Sequence, residues 1–358
     1  MSHCPCEQAS GIYDAIMRIK RLIRETSRLP RRFARVLAAG AALSAPFVLV
    51  TSALSATTPP PVAQTLTNVA YGPHPRQVLD FWKAKSDRPT PLVFFIHGGG
   101  WRGGNKGTVT DVERFLEAGI SVASINYRLV TDAANVKPPV KCPLEDAARA
   151  LQFVRSMAGP WNLDKMRIAA SGGSAGACSS LWLAFHNDMA DPSSADPVSR
   201  ESTRVWCAAV RVAQTTLDPK QMREWIPNSI YGGHAFGFTG NKEKNQTQFE
   251  EFFEKREQIL PWLAEYSPYN LVSPDDPPVY LWYRRPPTFG TPEKDPTHSA
   301  NFGVGLSGAL RKAGLKYELV YPGARDVRHP TVADYLIERL KGPADGEKMS
   351  VTERADKR

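Results

Sequence analysis

The chain has 358 residues, 42% of them hydrophobic and 23% charged, with a formal net charge of +9 and five cysteines. That length holds one large domain plus a tail, and that composition excludes wholesale disorder. The charge excess is local: Arg18, Lys20, Arg21, Arg24, Arg28, Arg31, Arg32 and Arg35 stand against Glu25 alone. No basic stripe interleaved with aromatics accompanies it, so nucleic acid is not an expected partner.

The basic stretch runs into an apolar segment from Val36 to Val50, then small residues to Ala56, then Thr57-Thr58-Pro59-Pro60-Pro61. A basic region, a short apolar run and small residues before a Pro-rich stretch describe an export signal over 1–56. Gly40 and Pro46 break the run, so no stable membrane span is expected; an uncleaved signal anchor is the alternative. Periplasmic or extracellular location follows from the signal. Residues 57–67 read as a linker, because three consecutive prolines enter neither a helix nor a central strand. Cys4 and Cys6 fall in the leader. Cys142, Cys178 and Cys207 remain, an odd number that rules out full pairing and leaves one disulfide open without choosing the pair. No metal-ligand spacing is present.

From Val69 onward, strands and helices alternate. Val78 to Trp82 alternates as a half-buried strand does. Pro91 to Ile96 is a continuous apolar run, the pattern of a strand covered on both faces. Val109 to Ala118 reads as a helix closed by Gly119, and Ile120 to Tyr127 as the next strand. Cys142 to Ala158 places Leu144, Ala147, Ala148, Leu151 and Val154 on one helical face. Further strands are expected at Met166–Ala170, Val205–Val212, Val279–Tyr283 and Tyr317–Tyr321, with helices over Phe302–Ala313 and Val332–Leu340. This alternation predicts an α/β fold with a mostly parallel central sheet flanked by helices. The aromatic and polar stretch over about 185–274 breaks the alternation and reads as a cap insertion. The domain spans 68–341, and 342–358 is a charged tail expected to be disordered.

Two glycine-rich segments carry the chemistry. Gly172-Gly173-Ser174-Ala175-Gly176 fits G-x-S-x-G between a strand and a helix-compatible run, Ala177 to Phe185. A strand turning sharply into a helix lifts a serine oxygen above the sheet and aims the next backbone N–H at an oxyanion. His97-Gly98-Gly99-Gly100-Trp101 comes directly after a buried strand, where consecutive glycines let N–H groups approach a reacting carbonyl. Gly98 to Gly103 also satisfies G-x-G-x-x-G. That fingerprint needs a helix opening at the glycines and an acid ending the next strand. Gly104 and Gly107 prolong the loop instead, and the next strand ends Asn126-Tyr127-Arg128, so a nucleotide cofactor is not expected.

With Asn126-Tyr127-Arg128-Leu129 and Pro143-Leu144-Glu145-Asp146 added, the chain resembles the hormone-sensitive-lipase-like and bacterial carboxylesterase (acetyl esterase) branch of the α/β-hydrolases over residues 68–341. The resemblance implies an α/β-hydrolase fold, Ser174 as nucleophile, and N–H groups of Gly98, Gly99 and Ala175 as oxyanion hole. It implies no cofactor and no metal. The family's acid comes after the strand that succeeds the cap, which selects Asp295, with Asp275 and Asp276 as fallbacks. Its base comes after a segment like Tyr321-Pro322-Gly323-Ala324, where this chain has Asp326. His329, three residues on, is therefore expected as the base, with His298 the alternative and His234 a candidate pocket residue in the cap. The function implied is serine carboxylic-ester hydrolysis of small esters or acetylated and feruloylated saccharides. A hydrolase-fold binding protein without turnover is the competing reading, motivated by Asp326. Oligomeric state is not legible.

Overall fold

A computed structural model of the chain describes residues 62–133 and 135–342. The expected export signal, the first part of the linker and nearly all of the charged tail lie outside the described residues.

Eight strands form one sheet in the order β1-β2-β4-β3-β5-β6-β7-β8. They are β1 (Leu66–Ala70), β2 (Val78–Trp82), β3 (Thr90–Ile96), β4 (Ser121–Ile125), β5 (Leu163–Gly173), β6 (Cys207–Arg211), β7 (Val279–Trp282) and β8 (Tyr317–Val320). β1 and β2 are antiparallel to their neighbours, and every pairing from β4 across to β8 is parallel. The edge strand β1 escapes a sequence reading because Leu66-Thr67-Asn68-Val69-Ala70 is mostly exposed and carries no alternation.

The principal helices are α1 (Val112–Glu117), α2 (Lys141–Ser156), α3 (Ala175–Phe185), α4 (Pro219–Trp225), α5 (Gln248–Glu254), α6 (Leu260–Tyr266), α7 (Asn301–Lys312) and α8 (Val332–Lys341). The pleat divides the core between them. Leu92 and Phe94 pack toward the α2, α3 and α7 side, while Val93 between them packs toward α1 and α8. β3 is thus buried on both faces, as its unbroken apolar run requires. Between β6 and β7 the cap contributes α4, α5 and α6, each of seven residues. These helices are too short to show periodicity; their local signals are an Asp218 cap before Pro219 and a Thr247–Glu250 capping box. Because β6 lies inside the expected 185–274 cap range, the insertion between sheet strands is shorter than that range.

Register sets the site. Ile96 of β3 pairs with Gly172 of β5, Gly173 with Arg211 of β6, and Arg211 with Trp282 of β7. The carboxyl ends of four parallel strands therefore line up, and the loops leaving them share one edge, where ligands bind in open α/β sheets. Cys142, Cys178 and Cys207 are buried, and no disulfide joins any two of them among the described residues. No helix among the described residues is long and apolar enough to cross a membrane.

Candidate active site

Ser174 stands at the turn from β5 into α3 with φ 53° and ψ −123°. A non-glycine residue held there is strained, and such strain persists only where surroundings fix it. Its N–H donates to Arg211 O at 3.0 Å and its carbonyl accepts from Cys178 N at 2.9 Å. The flanking glycines are steric necessities. A Cβ on Gly176 would meet the carbonyl oxygens of Ile96 and His97, and one on Gly172 would meet the backbone of Ile96 and Gly176. The close approach of β3 to the elbow thus dictates the motif.

The loop after β3 is held on every side. Gly99, Gly100 and Trp101 all have positive φ. Arg102 N closes the turn onto Gly99 O at 3.0 Å, and Val130 N donates to Trp101 O at 2.9 Å. Trp101 is fully buried and donates Nε1–H to Ser179 on α3 at 3.0 Å. His97 is fully buried, stacked on Tyr127 with ring centroids 4.2 Å apart. Its Nδ1 lies 2.7 Å from Gly98 O; a carbonyl only accepts, so Nδ1–H donates. Because a trans peptide points its C=O and N–H oppositely, anchoring Gly98 O turns Gly99 N–H the other way. Burial pushes the His97 imidazole down to about 4, so the ring is neutral. From the cap, His234 donates Nε2–H to Gly100 O at 2.8 Å, and burial likewise lowers it to about 4. Among the described residues no acceptor takes the backbone N–H of Gly98, Gly99 or Ala175. These three donors, beside Ser174, are the ones an oxyanion would need.

Charged residues brace this loop from behind. Arg76 donates to Tyr127 O at 2.8 Å and to Gly104 O at 3.1 Å. Buried Asp146 accepts from Arg128 Nη2 at 2.6 Å, Arg128 N at 2.8 Å and Gln77 Nε2 at 2.8 Å. The Asn-Tyr-Arg-Leu and Glu-Asp segments of the sequence are therefore scaffold for the glycine loop.

The base is where the expectation fails. Ser174 Oγ lies 3.0 Å from His298 Nε2. His298 Nδ1 in turn lies 3.0 Å from Asp295 Oδ2 and 3.2 Å from Oδ1. A carboxylate accepts only, so Nδ1–H donates to it and the Nε2 lone pair faces the serine hydroxyl. Asp295 is where the sequence reading puts the acid. His329, the expected base, is elsewhere. Its Nδ1 is 2.7 Å from Glu318 on β8 and its Nε2 is 2.9 Å from Glu338 on α8. Tyr280 Oη also donates to His329 O at 2.7 Å and pins the backbone. A ring donating to a carboxylate from each nitrogen keeps no lone pair for a serine proton. The fallback acids lie away from the serine too: Asp275 pairs with Arg204, and Asp276 accepts from Ser273 N at 2.7 Å. Asp326 lines a cavity of about 450 Å³ with Tyr317, Tyr321 and Arg325, which Ser174 does not line.

The signal for His298 is present in Asp295-Pro296-Thr297-His298. Asp295 stands at the N-terminal boundary of a 3₁₀ turn, Pro296–His298, with proline in its first turn; its carbonyl accepts from His298 N at 3.3 Å, leaving its carboxylate for the His298 ring. With three residues per turn, side chains at i and i+3 eclipse. The acid and base thus meet within one turn, instead of coming from two loops.

Placement of four strand ends, the strained serine elbow and the glycine loop defines an α/β-hydrolase fold, and solved structures agree. The chain aligns with a truncated carbohydrate esterase from gut microbiota at TM-score 0.57 and 20% identity, covering 77% of this chain and 96% of that one. It aligns with an acetyl ester-xyloside bifunctional hydrolase from Caldicellulosiruptor lactoaceticus at TM-score 0.51 and 24% identity, covering 74% and 85%. Among curated relatives, a probable isoprenylcysteine alpha-carbonyl methylesterase of Oryza sativa subsp. japonica is 34% identical over 32% of this chain. Esterase LipQ of Mycobacterium tuberculosis is 26% identical over 70% of it. The matched stretches span 27% and 54% of those two relatives' lengths. Residues 79–284 match the BD-FAE family, and the chain belongs to that family.

Proposed function

We propose that this protein is a serine carboxylic-ester hydrolase. The observation that carries the reading is the continuous chain of contacts from Ser174 through His298 to Asp295, beside three unused N–H donors. His298 takes the proton of Ser174 as Oγ attacks the ester carbonyl, and Gly98, Gly99 and Ala175 receive the oxyanion. The imidazolium returns that proton to the leaving alcohol. Water, deprotonated by the same ring, then releases the acid from the acyl-enzyme. Asp295 holds the ring in the tautomer that leaves Nε2 open to the serine.

The alcohol side of the substrate is read as a saccharide bearing acetyl or feruloyl esters. The two structural neighbours named as acetyl ester-xyloside hydrolase and carbohydrate esterase support this. So does the openness of the site: the side chain of Asp295 is 51% exposed and that of His298 35%, leaving room for a large leaving group. The segment over 1–56 supports an exported location.

Hydrolysis of short-chain chromogenic esters and acetylated xylo-oligosaccharides, with Ser174→Ala alongside, tests this. The variant is expected to lose about 10⁴-fold or more in kcat/KM. A parent inactive on every acyl length and silent to a serine-directed phosphonate contradicts the reading and leaves a binding protein on a hydrolase scaffold.

A further inference from the structure

The turn that delivers the base, between β7 and α7, is held beside the histidine by Ser299 Oγ donating to Glu293 Oε1 at 2.8 Å and from the cap by Asn228 Nδ2 donating to Glu293 O at 2.8 Å. The contact nearest the histidine from outside this segment comes from the residues after β6. Gln214 is fully buried and its Nε2 donates to Thr297 O at 2.5 Å, the carbonyl immediately before His298. The second Nε2 hydrogen faces Val212 O at 3.4 Å. Val212 itself is a β-branched residue held at φ 48°, with its N–H on Trp282 O at 2.8 Å. Neighbours of Gln214 are tied the same way: Ala213 O accepts from Tyr283 Oη at 2.9 Å, and Thr215 Oγ1 donates to Phe302 O at 2.7 Å. The β6 tip and the base-bearing turn are therefore hydrogen-bonded to each other and to the flanking β7 and α7.

The other end of the Gln214 amide is the informative one. Its Oε1 is buried with no hydrogen-bond partner among the described residues. An unpaired buried acceptor is destabilising, and an apolar side chain of the same length would avoid it. Packing alone does not explain a glutamine here; the donor to Thr297 does. We infer that Gln214 is the positioning residue of the proposed base, setting the height of the His298 ring over Ser174 through the Thr297 carbonyl. The inference rests on the esterase reading of Ser174 and His298.

Two variants test it. Gln214→Met keeps the length and removes both the donor and the orphaned acceptor. Gln214→Glu keeps the shape and sets a carboxylate against the Thr297 carbonyl. A displacement of about 1 Å at a reacting group costs up to roughly 10²-fold. Gln214→Met is therefore expected to lower kcat on a chromogenic acetate ester about 10- to 100-fold, with KM within threefold and a melting temperature close to the parent's, because relief of the orphaned Oε1 offsets the donor lost from Thr297 O. The rate of Ser174 phosphonylation by a small phosphonate should fall in parallel, and Gln214→Glu should lower both rates at least as far. If Gln214→Met folds and keeps kcat and phosphonylation within twofold of the parent, Gln214 is packing only and the inference is overturned. If Gln214→Met does not fold, the ratio of kcat loss to KM change in Gln214→Glu decides on the same terms. A parent that reacts with neither ester nor phosphonate overturns the esterase reading first, and this inference with it.

Discussion

The chain carries the spacing Asp-x-x-His twice at the same edge of its sheet, at Asp295–His298 after β7 and at Asp326–His329 after β8. Only the first presents its ring to Ser174. The difference lies in the residue next to each aspartate and in the groups around each ring. Pro296 fixes the backbone at the start of a 3₁₀ turn, so Asp295 and His298 eclipse and pair. Asp326 precedes Val327 and sits at φ 55°, and no helical turn forms there. His329 is then captured from both sides by Glu318 and Glu338, with Tyr335 edge-on at 5.3 Å. Equal spacing in sequence gives a polarised pair in one case and a structural clasp in the other. The partners of the second nitrogen decide which.

Three substitutions sharpen that contrast. His298→Ala is expected to reduce kcat on a short-chain ester by about 10³–10⁴-fold, read by steady-state kinetics. Asp295→Asn keeps the turn but removes the charge that orients the imidazole. Because Asp295 is half exposed and water screens it, a loss nearer 10²-fold is expected. His329→Ala should do the reverse of His298→Ala, leaving kcat within about threefold while urea denaturation shows a loss of about 2 kcal/mol. Removing the ring leaves Glu318 and Glu338 facing each other without their shared donor, and the exposure of Glu338 limits the penalty.

The remaining effect shows only on the acid side and concerns the glycine loop. His97 and His234 are neutral in the folded protein, pushed down to about 4 by burial. In an unfolded chain an imidazole takes its proton near 6.5. Between pH 6.5 and 4 the unfolded state therefore binds more protons, so their contribution is complete above 6.5 and is lost as pH falls toward 4. Asp276, raised to about 6 by burial, acts in the opposite sense over part of that window. His234→Gln keeps a donor toward Gly100 O without the titration. It is expected to flatten the acid-side loss of stability by roughly 1–3 kcal/mol, measured by denaturation at pH 7.5 and 4.5. An unchanged slope would show that His234 titrates freely in the folded state.

Much of the fold and site is legible in the sequence, and the part that is not has physical reasons. Buried parallel strands such as Thr90–Ile96 announce themselves because both faces are covered. The elbow and glycine loop do so because a close backbone approach admits only small residues. Asp295 is legible from its place after β7. The base is misplaced because the family pattern points into the β8 loop. The local signal, Asp295-Pro296 opening a turn that ends at His298, points the other way and is the better guide. The contacts that exclude His329 cannot be read at all: Glu318 and Glu338 lie 11 residues before and 9 residues after it on different elements. Gln214 is missed for the same reason, since nothing local in Val212-Ala213-Gln214-Thr215 points to a turn 83 residues away.

The proposed mechanism makes His298, and not His329, the group that activates Ser174. Its most direct test is the rate at which a small serine-directed phosphonate labels Ser174 in the parent, His298→Ala and His329→Ala, read by intact-mass measurement. Labelling of His329→Ala is expected at close to the parent rate, with a collapse of about 10³-fold or more in His298→Ala. Rapid labelling of His298→Ala together with a silent, folded His329→Ala would contradict it.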